Sequence, residues 1–371
     1  MKMIALIFSL LLTINAQAAN WNRANSPANF DREYKTSFWF LPKEGKVKRR
    51  PWSGDYWPTY KGGITYRWAD DSVSKDSQRY FYRINKLRSI GTRDSDIYQL
   101  SPAEKWDLYR GDTNWSLTNL ERDRTKIYTK NDIPEWEGLC HGWAPATLLY
   151  KNPKPITVIG AKGHKIEFGS ADIKALMTYH MHLNKKGSKT NFLGSRCNLD
   201  FKKIGNELRD GVISRSKYNN LIGSVKCGQD TNAGAFHTVL ANEIGKRKTG
   251  FVMDATRDAE VWNHAIYSYK TKVLSKSKSI SRGAARGTKK EVTVKTTIIY
   301  ITEVSQRWRK NWTNNAFKKV TYKYVLELGS FGRIIGGRWL SFKRPDFIWK
   351  QTIPSYRGIL SGLDKIIKKS R

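Results

Sequence analysis

The stretch EGLCHGWAPA at residues 137–146 places a cysteine, Cys140, just ahead of an apolar run that continues to Tyr150. Pro145 fits a first helical turn, where the missing N–H of proline costs no hydrogen bond. A helix N-terminus carries free amide groups and about half a positive charge, and both favour a thiolate. A cysteine beside a tryptophan is also common in apolar cores. The stretch therefore predicts a helix that begins near Cys140, with this thiol as a candidate nucleophile.

The first 18 residues have the pattern of a secretory signal. Met1-Lys2 precedes an apolar run that is too short to cross a bilayer, and Ala16-Gln17-Ala18 supplies the small residues of a cleavage site. No later stretch is apolar over the roughly 20 residues that a membrane helix needs. We therefore expect residues 1–18 to be removed and the mature protein to be secreted or periplasmic.

Export changes the interpretation of the three cysteines, Cys140, Cys197 and Cys227. An odd number leaves one free thiol in an oxidising compartment. Cys197 and Cys227 both lie in polar, glycine-containing segments, which favours a disulfide between them and leaves Cys140 free. Such a disulfide would stabilise the fold by about 3–4 kcal/mol. A disulfide that includes Cys140 is the alternative.

The chain is strongly basic, with 67 Lys and Arg against 32 Asp and Glu and a net charge of +35. A charge of this size concerns partners and solubility more than fold. For an exported protein it favours an anionic envelope surface as partner. No zinc-finger spacing, helix-turn-helix pattern or RNP-like run is present, so specific nucleic-acid recognition is not predicted. We expect a monomer.

Composition divides the chain into four parts. Residues 19–50 are expected to form a loosely held basic arm, and residues 351–371 a basic tail. Between them, residues 51–350 form the predicted catalytic domain, with a helical and aromatic part (51–130) and a core (131–350). Local patterns within this domain predict a capped helix after Ser101, a hairpin across residues 156–168, a helix after Ser170, and strands at 292–304 and 321–328. His180 and His182 point to different faces of the predicted helix, so no metal site is predicted.

A histidine and an aspartate complete the predicted site. Residues 236–243 and 250–254 alternate like two strands around a turn at Gly245-Lys246. In that register His237 lies directly opposite Asp254, with Cβ atoms about 5 Å apart. The carboxylate would hold the ring tautomer and stabilise the imidazolium that forms when the ring takes a thiol proton. Together with Cys140, the pair predicts thiol-dependent acyl transfer.

Acyl transfer also needs preorganised donors for the oxyanion. The backbone N–H of Cys140 is one candidate. The weaker candidates are side chains from three other segments, namely Trp57, Trp136 and Gln229.

Several blocks of the chain resemble the transglutaminase elicitor family, which comprises oomycete cell-wall transglutaminases and bacterial relatives. They are the Cys140 stretch, residues 234–237, residues 251–254 and, above all, the loop Glu260-Val261-Trp262-Asn263. Segments 51–60, 100–105 and 336–349 also match, so the resemblance covers roughly residues 51–349. Two positions depart from the family pattern. His264-Ala265-Ile266-Tyr267 stands where elicitor members have Gln-Pro-Val-Arg, and Arg338 stands where an acidic residue is expected.

The resemblance implies an α+β, papain-like or transglutaminase-like fold in which a nucleophile helix packs on an antiparallel sheet. It also implies a protein-glutamine γ-glutamyltransferase in which Cys140 is the nucleophile, His237 the base and Asp254 its orienter. The substrates would be a glutamine-containing protein and an amine, either lysine or a cell-wall diamino acid. The chemistry needs no cofactor, although the resemblance makes Ca²⁺ possible. The alternatives are a cysteine peptidase or peptidoglycan amidase that uses water, and a non-catalytic basic envelope-binding protein.

Overall fold

The structure is a computed structural model that describes residues 21–72, 82–84, 94–129, 132–183, 188–222, 230–255, 257–309 and 316–371. The predicted signal at residues 1–18 lies outside these ranges. Within them, no helix is both long enough and apolar enough to span a bilayer.

An antiparallel sheet forms the centre of the molecule. In spatial order its described strands are β4-β10-β5-β6-β7-β8-β9, and β1 pairs with the middle of β6. A separate hairpin joins β2 to β3. The strand bounds are β1 Glu44–Lys46, β2 Ile156–Ile159, β3 Lys165–Phe168, β4 Thr190–Gly194, β5 Val252–Asp254, β6 Asn263–Ser277, β7 Lys290–Ile301, β8 Phe317–Leu328, β9 Ile334–Trp339 and β10 Phe347–Gln351.

Helices pack on both sides of the central strands, and together with the antiparallel sheet they give the α+β fold that the sequence predicts. Their bounds are α1 Asp94–Tyr98, α2 Pro102–Arg110, α3 Ser116–Thr125, α4 Cys140–Leu149, α5 Ser170–Leu183, α6 Phe201–Arg209, α7 Arg215–Ile222, α8 Ala233–Leu240 and α9 Leu363–Lys369. A π-helical segment, Ala241–Arg247, continues α8.

Local sequence signals predict several of these elements correctly. Ser101 caps α2 through a capping box, since its side chain accepts from the Glu104 N–H while Glu104 accepts from the Ser101 N–H. The predicted hairpin, the helix after Ser170 and both long strands are present within a few residues of their expected bounds.

The predicted hairpin that carries His237 and Asp254 is wrong. Residues 233–240 form helix α8, and the π-helical segment continues through the expected turn at Gly245-Lys246. The Asn232 side chain caps α8 by accepting the N–H groups of Gly234 and Ala235. Asp254 lies on β5 and pairs with Asn263 of β6. The largely apolar segment 235–241 is compatible with a buried helix as well as a strand, and the cap decides for the helix.

The two terminal segments are also better ordered than predicted. Residues 21–50 are not a loose arm, because Phe30, Phe38 and Leu41 are buried in one of the two main cores and β1 pairs with β6. Residues 351–371 are not a simple tail, because α9 buries Leu363 and Ile366 in the other core. The basic residues of both segments lie on surfaces of elements whose apolar faces pack inward.

Candidate active site

Cys140 is the first residue of α4, as the sequence predicts. Close packing sets the position of this helix, because a Cβ added to Gly142 would lie 2.3 Å from the Thr178 carbonyl oxygen of α5. Pro145 is inside the helix and not in its first turn. Its missing N–H leaves the His141 carbonyl without an intrahelical partner, so α4 tolerates proline one turn later than expected.

The Cys140 thiol lies against the residues that begin β6. The Asn263 side-chain amide donates to the sulfur at 3.5 Å, and the sulfur donates to the Val261 carbonyl at 3.6 Å. The Trp349 indole of β10 donates to the Asn263 amide oxygen at 2.8 Å. This bond fixes which way the amide points, so the Asn263 nitrogen faces the thiol. Of the predicted loop near the site, Val261 and Trp262 precede β6, whereas Asn263 is its first residue.

Cys140 has a free thiol and is 5% exposed. Burial raises the pKa of this thiol, the hydrogen bonds from Asn263 act in the opposite direction, and the carboxylates of Asp254 and Glu303 raise it further. The helix N-terminus therefore does not suffice to make a resting thiolate. A neutral thiol of this kind needs a base to lose its proton during a reaction.

Asp254 holds the segment on which the thiol lies. Its Oδ1 accepts the backbone N–H of Trp262 at 3.2 Å, between the two residues that contact the sulfur. The side chain is fully buried. The Trp262 ring lies 5.6 Å from the Tyr56 ring, and the Tyr56 carbonyl accepts the N–H of Leu139 at 2.7 Å. Asp254 thus holds the start of β6 against the thiol through the Trp262 backbone, and not through the predicted pair with His237.

Sequence reasoning missed a group of titratable side chains, of which Glu303 acts on the Cys140 thiol through its charge. Burial and the charge of Asp55 raise the pKa of Glu303 to about 6. Burial likewise raises the pKa of Asp55 to about 6. The His264 Nδ1 lies 3.1 Å from the Ile301 carbonyl oxygen and 3.8 Å from the Glu303 carboxylate. The signal available in the sequence was His264 itself, which directly follows the matched block at residues 260–263.

His237 lies elsewhere in the core. Its Nδ1 is 2.8 Å from the Tyr324 hydroxyl, and its ring is 5.6 Å from that of Phe38. Burial lowers the pKa of this histidine to about 3. Within the described residues no contact joins His237 to Cys140 or Asp254. The strand register that supported His237 as the base is therefore absent from the structure.

The other predicted residues have mixed outcomes. Trp57 has a φ of +53° and is 1% exposed, and its indole nitrogen has no hydrogen-bond partner among the described residues. Trp136 lies under the Arg196 guanidinium, 5.8 Å from it. Gln229 and Cys227 lie outside the described residues, so the second oxyanion donor and the pairing of Cys197 with Cys227 stay predictions.

On the described strands, two carboxylates face each other across β7 and β8, and the residues around them do not fit a calcium ion. Glu291 and Glu327 are directly opposite each other on β7 and β8. Arg338 binds Glu291 with both terminal nitrogens at 2.9 Å and reaches Glu327 at 3.4 Å. Its guanidinium engages the oxygens that a hard cation would need. Among the described residues, no group of three or more His, Cys, Asp and Glu side chains is arranged to hold a metal ion. No step below goes through calcium.

Comparison with known proteins identifies the family and the fold. The transglutaminase elicitor family model matches residues 24–359. The chain belongs to this family. The crystal structure of the GP42 transglutaminase from Phytophthora sojae has the same fold, with a TM-score of 0.64 over 95% of this chain and 98% of that chain at 22% identity. No curated protein sequence matches the chain. Membership confirms the resemblance to this family.

Proposed function

We propose that this member of the transglutaminase elicitor family is an exported, thiol-dependent acyltransferase that acts on glutamine side chains of proteins. The observation that carries the proposal is the free, buried Cys140 thiol at the start of α4, aligned by the Asn263 amide. A nucleophile on a helix N-terminus against an antiparallel sheet is the arrangement that covalent acyl transfer uses.

The reaction has two balanced steps. The Cys140 sulfur attacks the carboxamide carbon, a C–S bond forms, the C–N bond breaks, and ammonia leaves with the proton taken from the thiol. A primary amine then attacks the thioester, a C–N bond forms, the C–S bond breaks, and the amine's proton returns to the thiol. We assign the Cys140 N–H and the Asn263 amide, which contacts the sulfur at 3.5 Å, as the donors that stabilise the oxyanion of both tetrahedral intermediates.

Glu303 is our proposed proton acceptor. A pKa of about 6 leaves this carboxylate largely ionised at neutral pH while it can still carry a proton for a short time. Its charge acts on the Cys140 thiol, and His264 lies against it. Asp254 is a positioning residue in this proposal, because it holds the Trp262 backbone. His237 has no role in the chemistry.

The acceptor of the acyl group is an amine, either a protein lysine or a cell-wall diamino acid. Apolar and aromatic side chains around the thiol, among them Trp262 and Tyr56, support exclusion of water. Exclusion of water favours transfer of the acyl group to an amine over hydrolysis of the thioester.

Incorporation of a labelled primary amine into casein tests the proposal. Wild-type protein should label casein, and Cys140→Ala should lose the activity while its melting temperature stays within a few degrees. Fragments of casein without label would instead favour a peptidase. Deamidated glutamine without label would favour an amidase. Labelling by Cys140→Ala at the wild-type rate would end the proposal.

A second experiment separates the two candidate bases. We expect kcat/KM of the wild type to fall below about pH 6, in line with the pKa of Glu303, and Glu303→Gln to be slow with no such fall. Glu135→Gln, at an exposed position, is the matched control. If folded His237→Asn is inactive and Glu303→Gln is not, the base is His237 and only the nucleophile of our proposal survives.

A further inference from the structure

The outer face of the central sheet carries a regular array of lysines. Three of them, from β6, β7 and β8, are directly opposite one another in the strand register, in the row Lys272, Lys295 and Lys323. The next row contains Lys270, Thr297 and Thr321. The third contains Ser268, Ile299 and Lys319. We call these nine residues the lysine grid.

The grid is a solvent-facing surface. All five of its lysines are exposed, whereas the alternate residues of the same strands, such as Val294, Thr296 and Tyr322, are buried. Lys46 of β1 extends the third row, because it pairs with Ser268. Glu44 is the acidic residue at the edge, 3.2 Å from Lys270. Within the described residues no other carboxylate belongs to these rows.

Such an array of like charges lowers the stability of the protein when no ligand is bound. Paired residues on neighbouring strands have Cβ atoms about 5 Å apart, and like charges directly opposite each other are destabilising. Lys295 has a lysine opposite it on both sides. Neutral or acidic residues at these positions would remove the repulsion at no cost to packing, since the side chains are exposed. A bound anion with repeated charges removes it as well.

The shape and chemistry of the grid indicate which kind of anion it would bind. A groove of about 420 Å³ lies on this face and includes four of the lysines together with Thr297 and Ile299. The Thr297 and Thr321 hydroxyls, 3.1 Å apart, offer hydrogen bonds in the middle of the face. Lysine acts as a point charge that suits a carboxylate without a fixed geometry.

The same features disfavour two other polyanions. None of the nine residues is aromatic, and Tyr269, which also lines the groove, is buried, so the grid exposes no ring on which nucleic-acid bases could stack. Membrane-binding faces combine basic residues with exposed large apolar side chains. The grid offers one such side chain, Ile299, which is half-buried.

We propose that the lysine grid binds an extended acidic polysaccharide and so holds the protein on an anionic surface polymer. On β6 the grid begins at Ser268, five residues after Asn263, and its first lysine is Lys270, seven residues after Asn263. At about 3.3 Å per residue this lysine lies some 23 Å along the strand from the residue that contacts the thiol. A polymer bound there leaves Cys140 accessible, so binding and catalysis are separable.

Fluorescence anisotropy with a labelled oligogalacturonate tests the proposal in a series of salt concentrations. The variant replaces the first row by glutamine, Lys272→Gln, Lys295→Gln and Lys323→Gln together. The matched control replaces three exposed lysines elsewhere, Lys151→Gln, Lys162→Gln and Lys365→Gln, which gives the same net charge. A single-stranded oligonucleotide and phosphatidylglycerol vesicles are the competing probes.

We expect the row variant to bind oligogalacturonate at least tenfold more weakly than the control variant, with a smaller salt dependence. Both variants should transfer amine to a short glutamine peptide at the wild-type rate. Equal affinity of the two variants would show that net charge alone holds the polymer and would overturn the proposal. Tighter binding of wild type to the oligonucleotide or to the vesicles would overturn the choice of polysaccharide.

Discussion

The Asn263 side-chain amide donates to the Cys140 sulfur across 123 positions of the chain. Trp349 orients this amide from a third segment. Asn263→Ala should therefore lower kcat by about 10²- to 10³-fold if the amide stabilises the oxyanion, as loss of one such donor does elsewhere. Amine incorporation measures this effect. Trp349→Phe keeps the Asn263 amide and removes only the bond that orients it, so kcat should fall by less in this variant. Equal activity of Asn263→Ala and the wild type would contradict the role of the amide.

Asn263→Asp tests the electrostatics of the same contact. The substitution replaces a hydrogen-bond donor to the sulfur by a carboxylate, in a site where Asp254 and Glu303 already raise the thiol pKa. We expect the pH at which iodoacetamide alkylates Cys140 at half its maximal rate to move upward. An unchanged or lower value would show that Asn263 does not act on the thiol.

Gly142→Ala should be among the most destabilising single substitutions in α4. The added Cβ would lie 2.3 Å from the Thr178 carbonyl oxygen, which is backbone and cannot move aside without separating α4 from α5. Overpacking of this kind costs about 1–3 kcal/mol or more. Chemical denaturation measures the loss. Gly205→Ala is the control, because no atom lies within 4 Å of its Cβ, and it should be neutral or stabilising by up to about 1 kcal/mol.

Arg338→Ala should destabilise the protein in a pH-dependent manner. Arg338 lowers the pKa of Glu291 through its hydrogen bonds and charge. A lowered carboxyl pKa contributes stability that is present above its unfolded value near 4.5 and is lost as pH falls through the folded value. The deficit of the variant should thus be larger at pH 7 than at pH 4, as measured by denaturation at both. Arg338→Lys should recover part of it, and a deficit that grows at low pH would contradict the cause.

Lys295→Gln should stabilise the protein when no polyanion is present. It removes two like-charge contacts, with Lys272 and Lys323, each worth roughly 0.2–1 kcal/mol. Thermal unfolding at low salt measures the gain, which should shrink at high salt because exposed charges are screened. Lys162→Gln, in the turn between β2 and β3, should show no gain.

Local signals predicted those elements whose structure depends on neighbours in sequence. The capping box at Ser101 and the alternation of β7 and β8 are examples. The region around His237 differs from the prediction because its largely apolar residues fit both a strand and a buried helix, and the Asn232 cap decides for the helix. The sequence around Cys140 predicts its role by itself, whereas the block at residues 260–263 is indicated by the family resemblance. The contact between Asn263 and the thiol depends on the sheet register, which no local pattern contains.

The same limit explains the missed carboxylates. Asp55 and Glu303 follow no motif. Burial in the folded chain raises the pKa of Asp55 to about 6, and burial together with the charge of Asp55 raises that of Glu303 to about 6. Sequence spacing gives neither burial nor proximity for residues this far apart.

Intact-mass spectrometry of the protein after incubation with a glutamine donor peptide, without an amine acceptor, tests the central claim most directly. The account predicts an adduct on Cys140 with the mass of the peptide less that of ammonia, located by fragmentation and released when a primary amine is added. An adduct on another residue, or an intact donor peptide with no adduct and no loss of ammonia, would contradict it.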